Sequence, residues 1–478
     1  MSAPGAAANA VVDAVLADLG KGSHRGVVVD SPPGAGKSTL VVKAAQVLAA
    51  AGEQLIVIAQ TNEQVDDLID RLATAAPDLP IGRLSAGDYR ASERVQQHRS
   101  VTVGAKIGDV GQGSVIIATA AKWATVADGS WAWAIVDEAY QMRSDALLRV
   151  ASRFSRALFV GDPGQLDPFS TVESARWTGL TWDPMLSAVS VLLRHNPDLP
   201  VHRLPVSWRL PPSAAEVVAP AFYPFTGFRA GTEPGDRSLV LDVGSARVHV
   251  PEGPDPDAVD AAVAQAAATG WALYELPARH TIRTDGEAAA ACAALALRVL
   301  EAGAVAVSER SRDGAAVDAS RIAIGTAHRD QAAVIRNLLR GTPGETITVD
   351  TANRLQGREY DVTVVLHPLS GRRDATAFHL ESGRLCVLTS RHRHACIVVA
   401  RAGIPDLLDA HPSTDPVHLN TAEPAPRVVR SASGARREVC PREQRCRTTP
   451  EAGKQDLDLD SSPGRREFRR RDAGRAIA

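Results

Sequence analysis

A short β-branched run, Gly26-Val-Val-Val-Asp30, passes directly into Ser31-Pro-Pro-Gly-Ala-Gly-Lys-Ser38, and apolar residues then recur at helical spacing from Thr39 to Ala51. A buried strand that breaks into glycines and reopens as a helix is the first half of a β–α–β unit, so a sheet with covering helices is built in from the start. The glycines let successive backbone N–H groups turn inward, and the helix brings its positive N-terminus to the same point. A turn made this way holds phosphate. Lys37 is then expected to reach the β- and γ-phosphates and the Ser38 hydroxyl to bind Mg²⁺. The full pattern opens on glycine; here Ser31 stands in that place.

The same alternation continues along the chain. Leu55–Ala59, Val115–Ala118, Ala134–Val136 and Ala157–Val160 read as buried strands, and Val11–Leu19 and Val65–Leu72 as helices. After about residue 200 it resumes, with strands expected at 239–241, 272–276, 322–324, 347–349, 362–366, 385–388 and 396–400, and a helix over 287–301. Buried runs alternating with helices predict an α/β protein with parallel sheets covered on both faces. We expect two such domains, 1–197 and 198–420. From Thr421 apolar periodicity stops and fourteen Lys+Arg face nine Asp+Glu. That composition cannot bury a core, so 421–478 is expected to be a disordered basic tail.

The formal net charge of -2 excludes a chain coated in nucleic-acid-binding charge and leaves room only for a local groove. Five scattered cysteines form neither a zinc signature nor a disulfide framework. No segment approaches the ~20 apolar residues of a bilayer span. A cytoplasmic protein is expected.

Further carboxylates, amides and guanidinium groups fall at strand ends. Asp137-Glu138 closes the run Ala134–Val136, at the strand edge where ligands bind in open α/β sheets. Asp137 is suited to hold Mg²⁺ through water and Glu138 to polarise an attacking water. Gln165, in Gly161-Asp162-Pro-Gly-Gln165, follows another strand and can sense a γ-phosphate. Arg209 and Arg391, read as part of the second sheet, can neutralise transition-state charge as fingers from a neighbouring domain. Trp123, Trp131, Trp133 and Trp177 are candidates either for base stacking or for the core.

Taken in order, these segments resemble the motifs of superfamily 1 helicases, in particular the branch that includes the nonsense-mediated-decay RNA helicases, over about residues 25–402. Ser31–Ser38 resembles the first motif, Ala59–Asn62 with Val65-Asp66 motif Ia, and Asp137-Glu138-Ala139 with Gln141 motif II. Gly161–Pro168 resembles motif III, and Ser207–Pro212 stands where the family has a Tyr-Arg-Met-x-Pro segment. Thr326–Gln331 resembles motif IV, Thr351–Glu359 motif V and Leu388–Arg391 motif VI.

The resemblance implies two RecA-like domains with ATP and Mg²⁺ between them and single-stranded DNA or RNA across their tops. It implies ATP hydrolysis coupled to movement on, or remodelling of, that strand. Lys37, Asp137, Glu138, Gln165, Arg209 and Arg391 would then be catalytic, with the γ-phosphate met by the last three. Pro33, Gly34, Ala35, Gly36, Lys37, Ser38, Thr39, Arg329, Gly357 and Glu359 would bind the nucleotide, Arg329 and Glu359 at its base or sugar. Thr61, Asn62 and Thr119 would touch the nucleic-acid backbone. The chain departs from the family in lacking a glutamine-containing adenine motif upstream of Ser31, and in carrying Ser390-Arg391-His392 where Thr-Arg-Ala is usual. The stretch from Ala76 to Gly113 is too short for a large accessory barrel, which favours translocation or remodelling over processive unwinding. A nucleic-acid-independent ATPase switch acting on a protein partner is the alternative.

Overall fold

The computed structural model describes residues 3–410, apart from 112, 167, 169–185, 225 and 243–252, together with the strand pair 427–430 and 436–439. Trp177 lies outside the described residues, as does the expected disordered tail except for that antiparallel pair.

The first half of the chain forms one eight-stranded sheet. Its strands are β1 Gly26–Asp30, β2 Leu55–Ala59, β3 Ile81–Leu84, β4 Val101–Gly104, β5 Val115–Thr119, β6 Trp131–Asp137, β7 Phe154–Gly161 and β8 Val201–Arg203, in the order β4-β3-β5-β2-β6-β7-β1-β8. Every pairing is parallel. β1 shows why both faces must be covered. Val27 and Val29 point into a core with Leu40, Val41 and Ala44 of the helix Lys37–Ala50. Val28, on the opposite face, joins a second core with Trp123, Trp131 and Phe159. Strand side chains alternate with period two, so an all-apolar run is stable only with a layer on each side.

β8 pairs with β1 beyond residue 197, because its extended run supplies the free edge of β1 with partners. The first sheet therefore takes in Arg203. β9 Val206–Ser207 and β10 Arg229–Ala230 form a separate two-stranded pair. β11 Ser238–Val240 then leads a three-stranded antiparallel sheet with β13 Val305–Ser308 and β14 Ser311–Ala316. The run 239–241 thus belongs to this small sheet and not to a main one.

The second main sheet has five parallel strands: β12 Trp271–Leu276, β15 Ile322–Thr326, β16 Thr348–Thr351, β17 Tyr360–Leu366 and β18 His392–Arg401, in the order β12-β18-β17-β15-β16. The expected strand at 385–388 is instead part of a helix, Ser382–Thr389. A four-residue apolar run reads the same in either conformation. Here the run is buried on every side, so no polar face marked it as helical.

Two buried cores line the two faces of this sheet. Val362 and Val364 of β17 meet Ala293 and Leu297 on one, and Val365 meets Leu210, Phe222 and Leu388 on the other. No helix among the described residues is long and apolar enough to cross a membrane.

Candidate nucleotide site

The phosphate loop keeps its two inner glycines for different reasons. Gly36, at φ 89°, caps the helix Lys37–Ala50 in the left-handed region, and a Cβ there would meet nothing within 4 Å. That open space lies before an uncapped helix N-terminus, where phosphate oxygens are expected. Gly34, at φ 72°, has no such room. Its Cβ would fall 2.3 Å from Arg209 Cβ and 2.9 Å from Arg209 N. The loop is bolted to the Arg209 segment by Trp208 N–H to Gly34 O, 2.9 Å, and Ser207 Oγ to Pro33 O, 2.6 Å.

Lys37 pairs with Glu138 through Nζ and Oε1. Burial works against the Lys37 charge, but Glu138 and Asp137 outweigh it and hold its pKa above the ordinary lysine value. The second Glu138 oxygen accepts from Gln141 Nε2 at 2.8 Å. Glu138 itself sits at φ 52°, the one non-glycine residue with positive φ among the described residues. Such a conformation costs on the order of 1–3 kcal/mol and is kept where the surroundings over-determine it. Here Ala139 N–H reaches Val160 O at 3.0 Å and closes the turn onto β7.

Asp137 ends β6, and burial pushes its pKa up to about 6 despite Lys37 nearby. Its Oδ1 is buried with no hydrogen-bond partner, as is Ser31 Oγ. An orphaned carboxylate oxygen at the mouth of a phosphate loop fits a divalent cation. Ser38 and Asp137 are the residues that would hold it.

The second half of the chain closes on this point. Gln356 Nε2 donates to Gln165 Oε1 at 2.6 Å, and Gln165 Nε2 donates to Asp162 Oδ2 at 2.6 Å. Tyr223 OH donates to Asp162 Oδ1 at 2.6 Å. Burial pushes Asp162 up to about 6. Arg209 Nε lies 2.9 Å from Glu359 Oε1, and its Nη1 donates to Ser390 O at 3.2 Å. Burial and then the neighbouring Arg209 lower Arg391 to about 10. Its guanidinium is tied back to Val387 O and Ser390 Oγ. Arg209 is tied to the phosphate loop through Ser207 and Trp208 and reaches the Ser390 carbonyl beside Arg391, so both arginines stand by the loop that carries Lys37.

Two expectations change. Arg209 does not belong to the second sheet. It follows β9 directly, and its segment is fixed to the phosphate loop while its side chain reaches Glu359 and Ser390. Arg329 is not brought to the cleft. It opens the helix Arg329–Leu339 after the C-terminal end of β15, whereas Glu359 and Arg391 precede β17 and β18 at the other edge of the same parallel sheet. Gly357, at φ 81°, stays near Glu359 in the turn before β17.

The expected nucleic-acid residues lie at the C-terminal ends of neighbouring strands, since Ala59 pairs with Thr119. Thr61 and Thr119 accept from Gln64 N–H and Lys122 N–H as helix caps, and Asn62 Oδ1 accepts from Arg83 at 3.0 Å. Trp123, Trp131 and Trp133 are core residues, at most 8% exposed. They are not stacking platforms. Sequence reasoning missed Tyr223 and Arg237, since a lone tyrosine or arginine outside a recognised motif carries no mark of its partners.

Two parallel sheets, with the phosphate loop on one side and guanidinium groups beside it, have the make-up of a P-loop nucleotide-binding cleft. AAA domain family models match residues 13–177 and 278–403, one over each main sheet. The chain thus carries an AAA-type domain in each half. No curated protein matches it in sequence. Among solved structures it is similar to Arterivirus nonstructural protein 10, a helicase, at 15% identity and a TM-score of 0.40, covering 82% of this chain and 61% of that one. The complex of that helicase with DNA gives 14%, 0.41, 82% and 63%. The PRRSV helicase gives 14%, 0.41, 90% and 63%. This chain thus spans less than two thirds of the length of those helicases.

Proposed function

We propose that the protein hydrolyses ATP and couples the cycle to movement along, or remodelling of, single-stranded DNA or RNA. The observation that carries this reading is the convergence of Lys37, Asp137, Glu138, Gln165, Arg209 and Arg391 on one cleft between two sheets. Lys37 and Glu138 form an ion pair. An arriving γ-phosphate competes for Lys37 and releases Glu138 to orient water. Bound Mg²⁺ supplies charge neutralisation at the phosphates.

Arg209 pairs with Glu359 and Ser390 O, and its side chain must turn toward the phosphate to join Arg391 in stabilising charge in the transition state. Gln165 carries the state of the cleft to Gln356, so loss of the γ-phosphate loosens contacts between the two halves. The nucleic-acid strand is placed along the strand ends bearing Thr61, Asn62 and Thr119. The two domains, divided near residue 205, move against each other in this scheme. A cytoplasmic setting is part of the same proposal.

The test is steady-state ATP hydrolysis titrated with single-stranded DNA, single-stranded RNA and duplex. Single strands should raise turnover, and Lys37→Ala or Glu138→Gln should lower it by at least ~10²-fold. Turnover indifferent to every nucleic acid would instead assign the cycle to a protein-directed switch.

A further inference from the structure

Arg237 precedes β11, outside every motif that marks the nucleotide site, yet its guanidinium uses all five of its N–H donors. Nε and Nη2 bind the two carboxylate oxygens of Glu309 at 2.9 and 2.7 Å. The remaining Nη2 donor goes to Trp208 O at 2.8 Å. Nη1 donates to Arg209 O, and at 3.5 Å to Arg393 O. The side chain is 1% exposed. A buried guanidinium with every donor engaged is fixed in orientation, and so are the carbonyls that receive it.

Those carbonyls belong to the segments that carry both arginines of the cleft. Trp208 and Arg209 form the strap whose other side is bolted to the phosphate loop. Arg393 lies in β18, two residues beyond Arg391. Glu309, in turn, occupies the tight connection between β13 and β14, so the small antiparallel sheet stands behind the strap as a brace.

We propose that Arg237, held by Glu309, is a positioning residue that fixes the backbone of Arg209 relative to that of Arg391, so that the Arg209 side chain alone swings between Glu359 and the γ-phosphate. The role rests on the ATPase reading above. Arg237 touches no substrate and acts only through Arg209. Lysine cannot replace it, because a point charge with three donors cannot bind a carboxylate bidentately and also hold two diverging carbonyls.

The test compares Arg237→Met, Arg237→Lys and Glu309→Gln with the unaltered full chain, measuring kcat and KM for ATP, affinity for a fluorescent ATP analogue, and thermal unfolding. Expected is a fall in kcat of tenfold or more for both Arg237 variants and a smaller fall for Glu309→Gln, with KM and analogue affinity changed less than twofold. In an Arg209→Ala background, Arg237→Lys should produce no further fall in kcat. Unchanged kcat in Arg237→Lys, or losses that multiply in the double variant, would overturn the proposal. If Arg237→Met does not fold, Arg237→Lys and Glu309→Gln still decide it. Absence of ATP hydrolysis by the unaltered protein is a separate result, and it would remove the ATPase reading itself.

Discussion

The Tyr223 hydroxyl donates a 2.6 Å hydrogen bond to Asp162 Oδ1, joining the end of the helix Pro212–Phe222 to the turn that follows β7. Both residues are buried, and Gly164 packs so closely on the ring that a Cβ there would lie 2.4 Å from Tyr223 Cζ. Asp162 also accepts from Gly164 N–H and Gln165 Nε2, and Gln165 accepts from Gln356. One carboxylate therefore collects groups from the loop after β7, from the helix after the strap and, through Gln165, from the turn before β17.

Tyr223→Phe should keep the ring packing and delete the hydroxyl. A hydrogen bond to a charged group contributes ~1.5–3 kcal/mol, so stability should fall within that range. Denaturant unfolding at neutral pH measures it. A loss under about 0.5 kcal/mol, the range of an ordinary surface change, would show the bond to be incidental.

Gly34→Ala and Gly36→Ala should separate two kinds of glycine. Both put a Cβ at positive φ, at a cost on the order of 1 kcal/mol. Only Gly34→Ala also drives a methyl into Arg209 Cβ and backbone, and neither bolted segment can give way. It should destabilise more and lower ATP hydrolysis by displacing the strap. Gly36→Ala should act mainly on nucleotide affinity, because its methyl enters the space reserved for phosphate. Unfolding and nucleotide titration of the two variants distinguish these outcomes.

Acid should loosen the brace. The hydrogen bonds from Arg237 hold Glu309 down at about 2, against an ordinary value of 4.5. A carboxyl with a depressed folded-state pKa adds stability that is complete above its unfolded value and is lost as pH falls through the folded one. The Glu309 contribution should therefore be whole above about pH 4.5–5 and decline toward pH 2. Measured against Glu309→Gln, the stability difference should shrink steadily over that window. A difference that stays constant with pH would count against the ion pair.

Much of the cleft was legible because its chemistry is local. A strand, two glycines and a lysine within a dozen residues specify a phosphate loop before any tertiary contact is known. Asp137-Glu138 and Gln165 were likewise readable from the strands they terminate. The run 385–388 was not, since four buried apolar residues are equally at home in helix or strand. Arg329 was misplaced because motif order along a chain does not say at which edge of a parallel sheet a residue emerges. Its position after β15, rather than before it, puts the length of the sheet between it and Glu359.

The sequence by itself determined the alternation of strand and helix, the phosphate loop and the types of charge around it, since these depend on neighbours within a few residues. Tertiary structure alone decided which distant groups meet. It placed Arg209 beside the phosphate loop rather than in the second sheet, set Tyr223 against Asp162, and gave Arg237 its five hydrogen bonds. Those contacts join residues far apart in the chain, and hydrogen-bond geometry, which falls off within fractions of an ångström, has no signature in composition or periodicity.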